Sequence, residues 1–248
     1  MKRCDWTVCS KPVFLGLVLF FLPFVGGCPG GHSGPTEHDI GGNDPNVVVA
    51  FGDSISDGYD SYNGRGYRDN LEYLFAADGR SGIRVLDEGE PGTYSYQGVE
   101  RINEVLARDR PAVLILLYGT NDEHSSLPKS VLSRVVSTTS DNLRQIVYAA
   151  RANQTIVVLS TLPPVCGPAR ELQRNNIIAM NVEIRRLGAE LRAADDGVYL
   201  ADAWEAFLSA APPDGCSLIN PDPGNHPNEA GYAVLARTYY NALGDARW

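Results

Sequence analysis

Apolar residues in this 248-residue chain fall into short continuous runs separated by longer stretches of helical spacing. Residues 47–51 (Val-Val-Val-Ala-Phe), 83–86, 112–118, 155–159 and 198–200 are short apolar runs rich in β-branched side chains, which predicts five strands. Between them, residues 67–77, 97–108, 130–152 and 170–194 carry apolar positions at helical spacing. In 97–108 these are Val99, Ile102, Val105 and Leu106. A short helix at 203–209 and a closing helix at 228–243 follow the fifth strand. The run at 112–118 has no polar alternation, as expected of a central strand covered on both faces. Strands separated by helices predict a parallel α/β sheet with helices on each side.

The first 46 residues break this rhythm. Lys2, Arg3 and Lys11 precede an apolar run at 13–25, too short to span a bilayer comfortably but suited to a signal-peptide core. Val25-Gly26-Gly27-Cys28 resembles the lipobox of bacterial lipoproteins. That resemblance implies cleavage before Cys28, lipid on its thiol, and an exported protein anchored to a membrane. The other reading is an ordinary secretory signal with an incidental cysteine. Residues 28–46 are rich in Gly, Pro, Asn and His and read as a flexible tether, with His32 and His38 as solvated linker residues. The expected organisation is a signal peptide at 1–27, a tether at 28–46 and one globular domain at 47–248.

The formal charge is −9, and removal of residues 1–27 takes away three basic side chains and one acidic, leaving −11. So acidic a chain argues against a nucleic-acid partner. The expected state is a monomer whose partners are a substrate and, through Cys28, a membrane. Cys4 and Cys9 leave with the signal. Cys166 and Cys216 remain as an even pair in an exported protein, which predicts a disulfide, with two separate thiols as the alternative.

Residues suited to acyl-transfer chemistry follow the strand ends. Ser54 lies in Gly52-Asp53-Ser54-Ile55-Ser56, just past the first strand, where open α/β sheets bind ligands. A serine nucleophile needs a base within hydrogen-bond reach. His124 and His226 are the histidines of the globular part, and His226 stands in the loop before the last helix, where Asn228 can cap. A developing oxyanion needs aimed donors. The backbone N–H groups of Ser54 and Gly92 and the side-chain amide of Asn121 are the candidates. Asp222 is the nearest carboxylate to His226 in sequence. Taken singly, each residue also suits a turn, a cap or a packing role. Tyr59, Tyr62, Tyr94, Tyr96 and His124 follow strand ends and are candidates for lining a pocket. Asp53 and Asp122 adjoin the reactive positions and read as supports of loop geometry. No cluster has metal-ligand spacing.

Together, Gly-Asp-Ser-Ile-Ser at 52–56, Gly89-Glu90-Pro91-Gly92-Thr93, Gly119-Thr120-Asn121-Asp122 and His226-Pro227-Asn228 resemble the four signature blocks of the SGNH hydrolases, or GDSL esterases/lipases, over residues 47–243. The resemblance implies a three-layer α/β/α, flavodoxin-like fold and a serine ester hydrolase without cofactor. By it, Ser54 is the nucleophile, His226 the base, and Gly92 and Asn121 join Ser54 in the oxyanion hole. With strand order 2-1-3-4-5, Ser54 and Asn121 flank the switch point. The chain departs from the family at one place. An Asp-x-x-His pattern would put the acid at 223, which is Pro223, and Asp222 lies four residues before His226. Either the loop bulges to bring Asp222 in, or the acid comes from elsewhere, with Asp202 a rival, or Ser54 and His226 act as a dyad. The implied substrates are carboxylic esters, short-chain or lysophospholipid-like. The alternatives are O-acetylated glycans, as hydrolase or acyltransferase, and a non-catalytic envelope lipoprotein.

Overall fold

The structure is a computed structural model, and it describes residues 36–123, 129–222, 224–244 and 246–248. Five parallel strands form one sheet in the order β2-β1-β3-β4-β5, as the resemblance implied. They are β1 (Asp44–Gly52), β2 (Arg84–Gly89), β3 (Pro111–Leu117), β4 (Ile156–Ser160) and β5 (Val198–Ala201). The helices are α1 (Ser54–Asp57), α2 (Arg68–Ala77), α3 (Ser95–Asp109), α4 (Lys129–Ala152), α5 (Glu171–Ala194), α6 (Ala203–Ala210) and α7 (Glu229–Leu243). α3, α4 and α5 pack side by side on one face, and α2, α7 and α6 on the other. This is the α/β/α sandwich that right-handed crossovers produce when the chain leaves β1 first to one side and then to the other.

The core lies where the continuous apolar runs put it. Every residue of β3 and β4 is buried, as are residues 47–52 of β1. The register aligns the strand ends: Gly52 of β1 stands opposite Gly89 of β2 and Leu117 of β3. The loops after these three strands therefore open on one edge of the sheet. Gly52 is required there by space, because a β-carbon would sit 2.2 Å from the Leu117 carbonyl and 2.3 Å from Ser56 Oγ.

The described part of the expected tether is docked on the domain. β1 begins at Asp44, the Glu37 and Arg247 backbones form a parallel bridge, and Trp248 Nε1 donates to the Pro45 carbonyl at 2.9 Å. His38 is not a solvated linker residue. Its Nε2 lies 2.6 Å from the Tyr199 hydroxyl, its side chain is largely buried, and burial lowers its pKa. The polar composition of this segment serves backbone pairing and side-chain bonds to the C-terminus rather than solvation. The expected signal peptide at 1–27, and Cys28, His32 and His124, lie outside the described residues. Among the described residues, no helix is long and apolar enough to cross a membrane.

Candidate active site

Gly52 ends β1, and the next residue, Asp53, turns the chain into α1. Its Oδ1 accepts from the Ile55 N–H at 3.0 Å, the N-cap arrangement that satisfies an orphan donor of the first turn. Ser54 thus sits at the first position of a short helix, with its hydroxyl facing the open edge of the sheet. Asp53 is fully buried and its Oδ2 has no hydrogen-bond partner. Burial pushes this carboxyl up to about 7, and the Asp122 charge adds to the rise against the opposing bond from Ile55.

His226 comes to Ser54 from 172 residues away. Asn228 caps α7 by accepting from the Gly231 N–H at 3.1 Å, and Ile219 pairs with Pro227 in a short antiparallel bridge. The Asn220 N–H donates to the His226 carbonyl at 2.9 Å. These bonds fix the backbone from His226 to Asn228, and His226 is buried. Its Nε2 lies 2.9 Å from Ser54 Oγ. The Tyr59 ring tilts against it, centroids 5.0 Å apart.

The other imidazole nitrogen, Nδ1, meets a carboxylate that the sequence reading did not select. Asp60 Oδ2 lies 2.8 Å from it. Asp222 is exposed at the loop surface and does not occupy this place. Asp202, the rival, is held in a two-pronged pair by Arg185 at 2.7 and 2.9 Å, accepts from Thr161 Oγ1 at 3.0 Å and caps α6. The Asp222 assignment is therefore corrected. The carboxylate nearest to His226 in sequence is not the one beside it in space, because the loop after Ser54 turns back over the ring. The signal available was the run Gly58-Tyr59-Asp60-Ser61. It holds turn formers just past the nucleophile, with a carboxylate in a conformation that Asp tolerates better than most residues.

Gly92 and Asn121 line the same cleft as Ser54 and His226, together with Tyr59, Pro91 and Asn225. Gly92 has φ +78°, a backbone that glycine adopts without cost. Asn121 Nδ2 donates one hydrogen to the Thr93 carbonyl at 2.9 Å, leaving its second for an acceptor in the cleft. Asp122 ties this loop to α3 and α4. It accepts from the Ser95 N–H at 3.0 Å, from Ser95 Oγ and from Thr139 Oγ1 at 3.1 Å. Asp53 and Asp122 are thus the loop supports that the sequence suggested. The cleft is open and measures about 430 Å³. A groove of about 670 Å³ between α4 and α5, lined by Leu132, Val136, Leu172 and Glu183 among others, contains neither Ser54 nor His226.

The model of the GDSL-like lipase/acylhydrolase family matches residues 50–234. The chain belongs to this family. It is accordingly a serine carboxylic ester hydrolase. Among solved structures, the chain is similar to the acetylxylan esterase of Geobacillus stearothermophilus. That match has 19% identity and a TM-score of 0.65, covering 83% of this chain and 98% of the other. It is also similar to a lipase/acylhydrolase from Enterococcus faecalis, at 24% identity and a TM-score of 0.63, covering 80% and 95%. Likenesses at this identity establish the shared fold. No curated protein sequence matches the chain.

Of the predicted positions, the structure brings Ser54, Gly92, Asn121 and His226 to one cleft and leaves Asp222 outside. Cys166 and Cys216 are joined as expected, with Cα atoms 5.6 Å apart. The Cys166 N–H donates to the Gly224 carbonyl at 2.7 Å, so the bridge abuts the loop that carries the base. Tyr94 and Tyr96 stack on each other, with ring centroids 5.9 Å apart, and are not among the residues that line the cleft.

Proposed function

We propose that the protein hydrolyses short-acyl esters through a Ser54 acyl-enzyme, on the periplasmic or extracellular side of a bacterial membrane to which Cys28 anchors it. The observation that carries this reading is the 2.9 Å contact between Ser54 Oγ and His226 Nε2 inside the cleft. A hydroxyl at that distance from a neutral imidazole nitrogen loses its proton to the ring as it attacks the ester carbonyl. Negative charge then develops on the carbonyl oxygen. The N–H groups of Ser54 and Gly92 and the second hydrogen of the Asn121 amide are the donors for it. The imidazolium returns its proton to the leaving alcohol and leaves an acyl-serine. His226 next deprotonates a water, which attacks the acyl group and releases the acid and free Ser54.

The cleft supports a short acyl group. Its walls are Pro91, Gly92, Asn121 and Asn225, with Tyr59 as its aromatic lining residue. Long acyl chains, as in lysophospholipids, find no continuous apolar wall among these residues. O-acetylated carbohydrate is a second reading for the alcohol side. Tyr59, which lines the cleft, is about half exposed, and such a ring offers an apolar face with a polar tip. The structural similarity to an acetylxylan esterase points the same way. The export reading is supported by the Cys166–Cys216 bridge, a bond of oxidising compartments.

Hydrolysis of p-nitrophenyl acetate, butyrate and decanoate, a lysophospholipid and an acetylated xylo-oligosaccharide tests the substrate class. The expected order places acetyl esters first in kcat/KM and decanoate and lysophospholipid last. A preference for the long chains would contradict the short-acyl reading.

A further inference from the structure

We propose that Asp60, carried on the nucleophile's own loop, is the carboxylate that positions His226, so that acid and nucleophile come from a single segment and the base alone comes from afar. This rests on the reading of Ser54 and His226 as nucleophile and base. The imidazole is bonded at both nitrogens, at 2.9 Å to Ser54 Oγ and at 2.8 Å to Asp60 Oδ2. A carboxylate accepts only, so the Nδ1 hydrogen points at Asp60 and the Nε2 lone pair at the serine. That is the tautomer a general base needs, and the same carboxylate stabilises the imidazolium formed on attack.

The nearby carboxylates that could compete are engaged elsewhere. Asp202 belongs to Arg185, Asp122 to Ser95 and Thr139, and Asp53 to the first turn of α1. Asp222 faces solvent. The backbone at Asp60 points in the same direction. Its φ is +64°, a left-handed conformation that most side-chain-bearing residues avoid and that Asp tolerates better than most. Strain of this kind persists where the surroundings hold it, and here they do. Tyr232 Oη donates to the Tyr59 carbonyl at 2.7 Å. The Tyr62 N–H donates to Glu229 Oε1, and Ser61 Oγ donates to the Gly58 carbonyl at 2.6 Å. Asn220 Nδ2 is shared between the carbonyls of Asp60, at 3.4 Å, and Pro227, at 3.2 Å. Two of these ties come from α7, and Asn220 also bonds the carbonyls of His226 and Pro227. The loop is thus registered against the base by groups other than the Asp60 carboxylate. With the acid supplied from residue 60, position 223 is released from that task, and a proline stands there.

The Asp60 side chain is 32% exposed, so water partly replaces a lost carboxylate. The expected loss is therefore smaller than the roughly 10⁴-fold known for a buried triad aspartate. The test uses the full chain and p-nitrophenyl acetate, with kcat and KM measured for wild type, Ser54→Ala, Asp60→Asn, Asp60→Gly and Asp222→Asn. Asparagine and glycine both accept a left-handed backbone, so these variants keep the loop. The expected result is a fall of ~10²–10³ in kcat for both Asp60 variants with KM within about twofold. Asp222→Asn should equal wild type. Asp60→Asn or Asp60→Gly within about threefold of wild-type kcat would overturn the proposal, as would an equal loss in Asp222→Asn. A wild type without Ser54-dependent turnover would overturn the nucleophile assignment and this proposal together. Ser54-dependent turnover that is indifferent to Asp60 would overturn this one alone.

Discussion

Asp53 holds a carboxyl in complete burial one residue before Ser54, with one oxygen capping α1 and the other unpartnered. Burial raises its pKa from 3.8 to about 7. The sign of the consequence follows by linkage. Above the unfolded value the unfolded chain releases this proton while the folded chain keeps it. The contribution to stability is full below about 4 and is lost as pH rises to about 7, after which it is flat. The whole effect is of order 4 kcal/mol at 1.36 kcal/mol per unit. Asp53→Asn keeps a capping oxygen and removes the titration. Urea unfolding of both proteins from pH 4 to 8 should show the variant gaining on wild type steadily up to pH 7. A difference that does not change with pH would contradict it. Ser54 and His226 were legible because each lies at a strand or helix end where chemistry can be displayed. Asp60 was not. Its contact with His226 spans 166 residues, and nothing local distinguishes it from other loop aspartates except the left-handed turn it accepts.

At the level of elements, the sequence located the strands within about three residues, because continuous β-branched runs in a parallel sheet are buried on both faces and leave a clear trace. It shortened β2 to 83–86, whereas the strand runs to Gly89. The missing residues, Asp87 and Glu88, look like loop. They sit in the edge strand because Arg68 and Arg108 pair with them. The four-residue helix α1 was also illegible, since its stability comes from the Asp53 cap and the packing of Ile55 rather than from periodicity. The docking of residues 36–46 was hidden by a composition suited to a linker. The disulfide was legible from cysteine parity, and its restraint on the segment carrying His226 from the place of Cys216 in the loop leading to that residue. Through the bond from the Cys166 N–H to Gly224, it ties the loop after β4 to the segment leading to His226. Both fixed points of the base, the bridge and the α7 cap, therefore belong to elements other than the one carrying Ser54.

Over the whole molecule, Ser54, His226, Gly92 and Asn121 share one edge of the sheet because the order 2-1-3-4-5 puts β1 beside β3 and aligns Gly52 with Gly89 and Leu117. The mature protein is expected to begin at a lipid-bearing Cys28 and to partition into detergent, as more than one acyl chain would hold it firmly. Mass spectrometry finding an unmodified Cys28 or cleavage elsewhere would remove this expectation. The central claim is that Ser54 is an activated nucleophile rather than a capping serine in a binding protein. A fluorophosphonate probe tests it most directly, because phosphonylation requires a serine that a base deprotonates. Peptide mapping of labelled protein should find one adduct, on Ser54, formed quickly in wild type and absent in His226→Ala. An unlabelled protein, or an adduct on another serine with Ser54 intact, would contradict the claim.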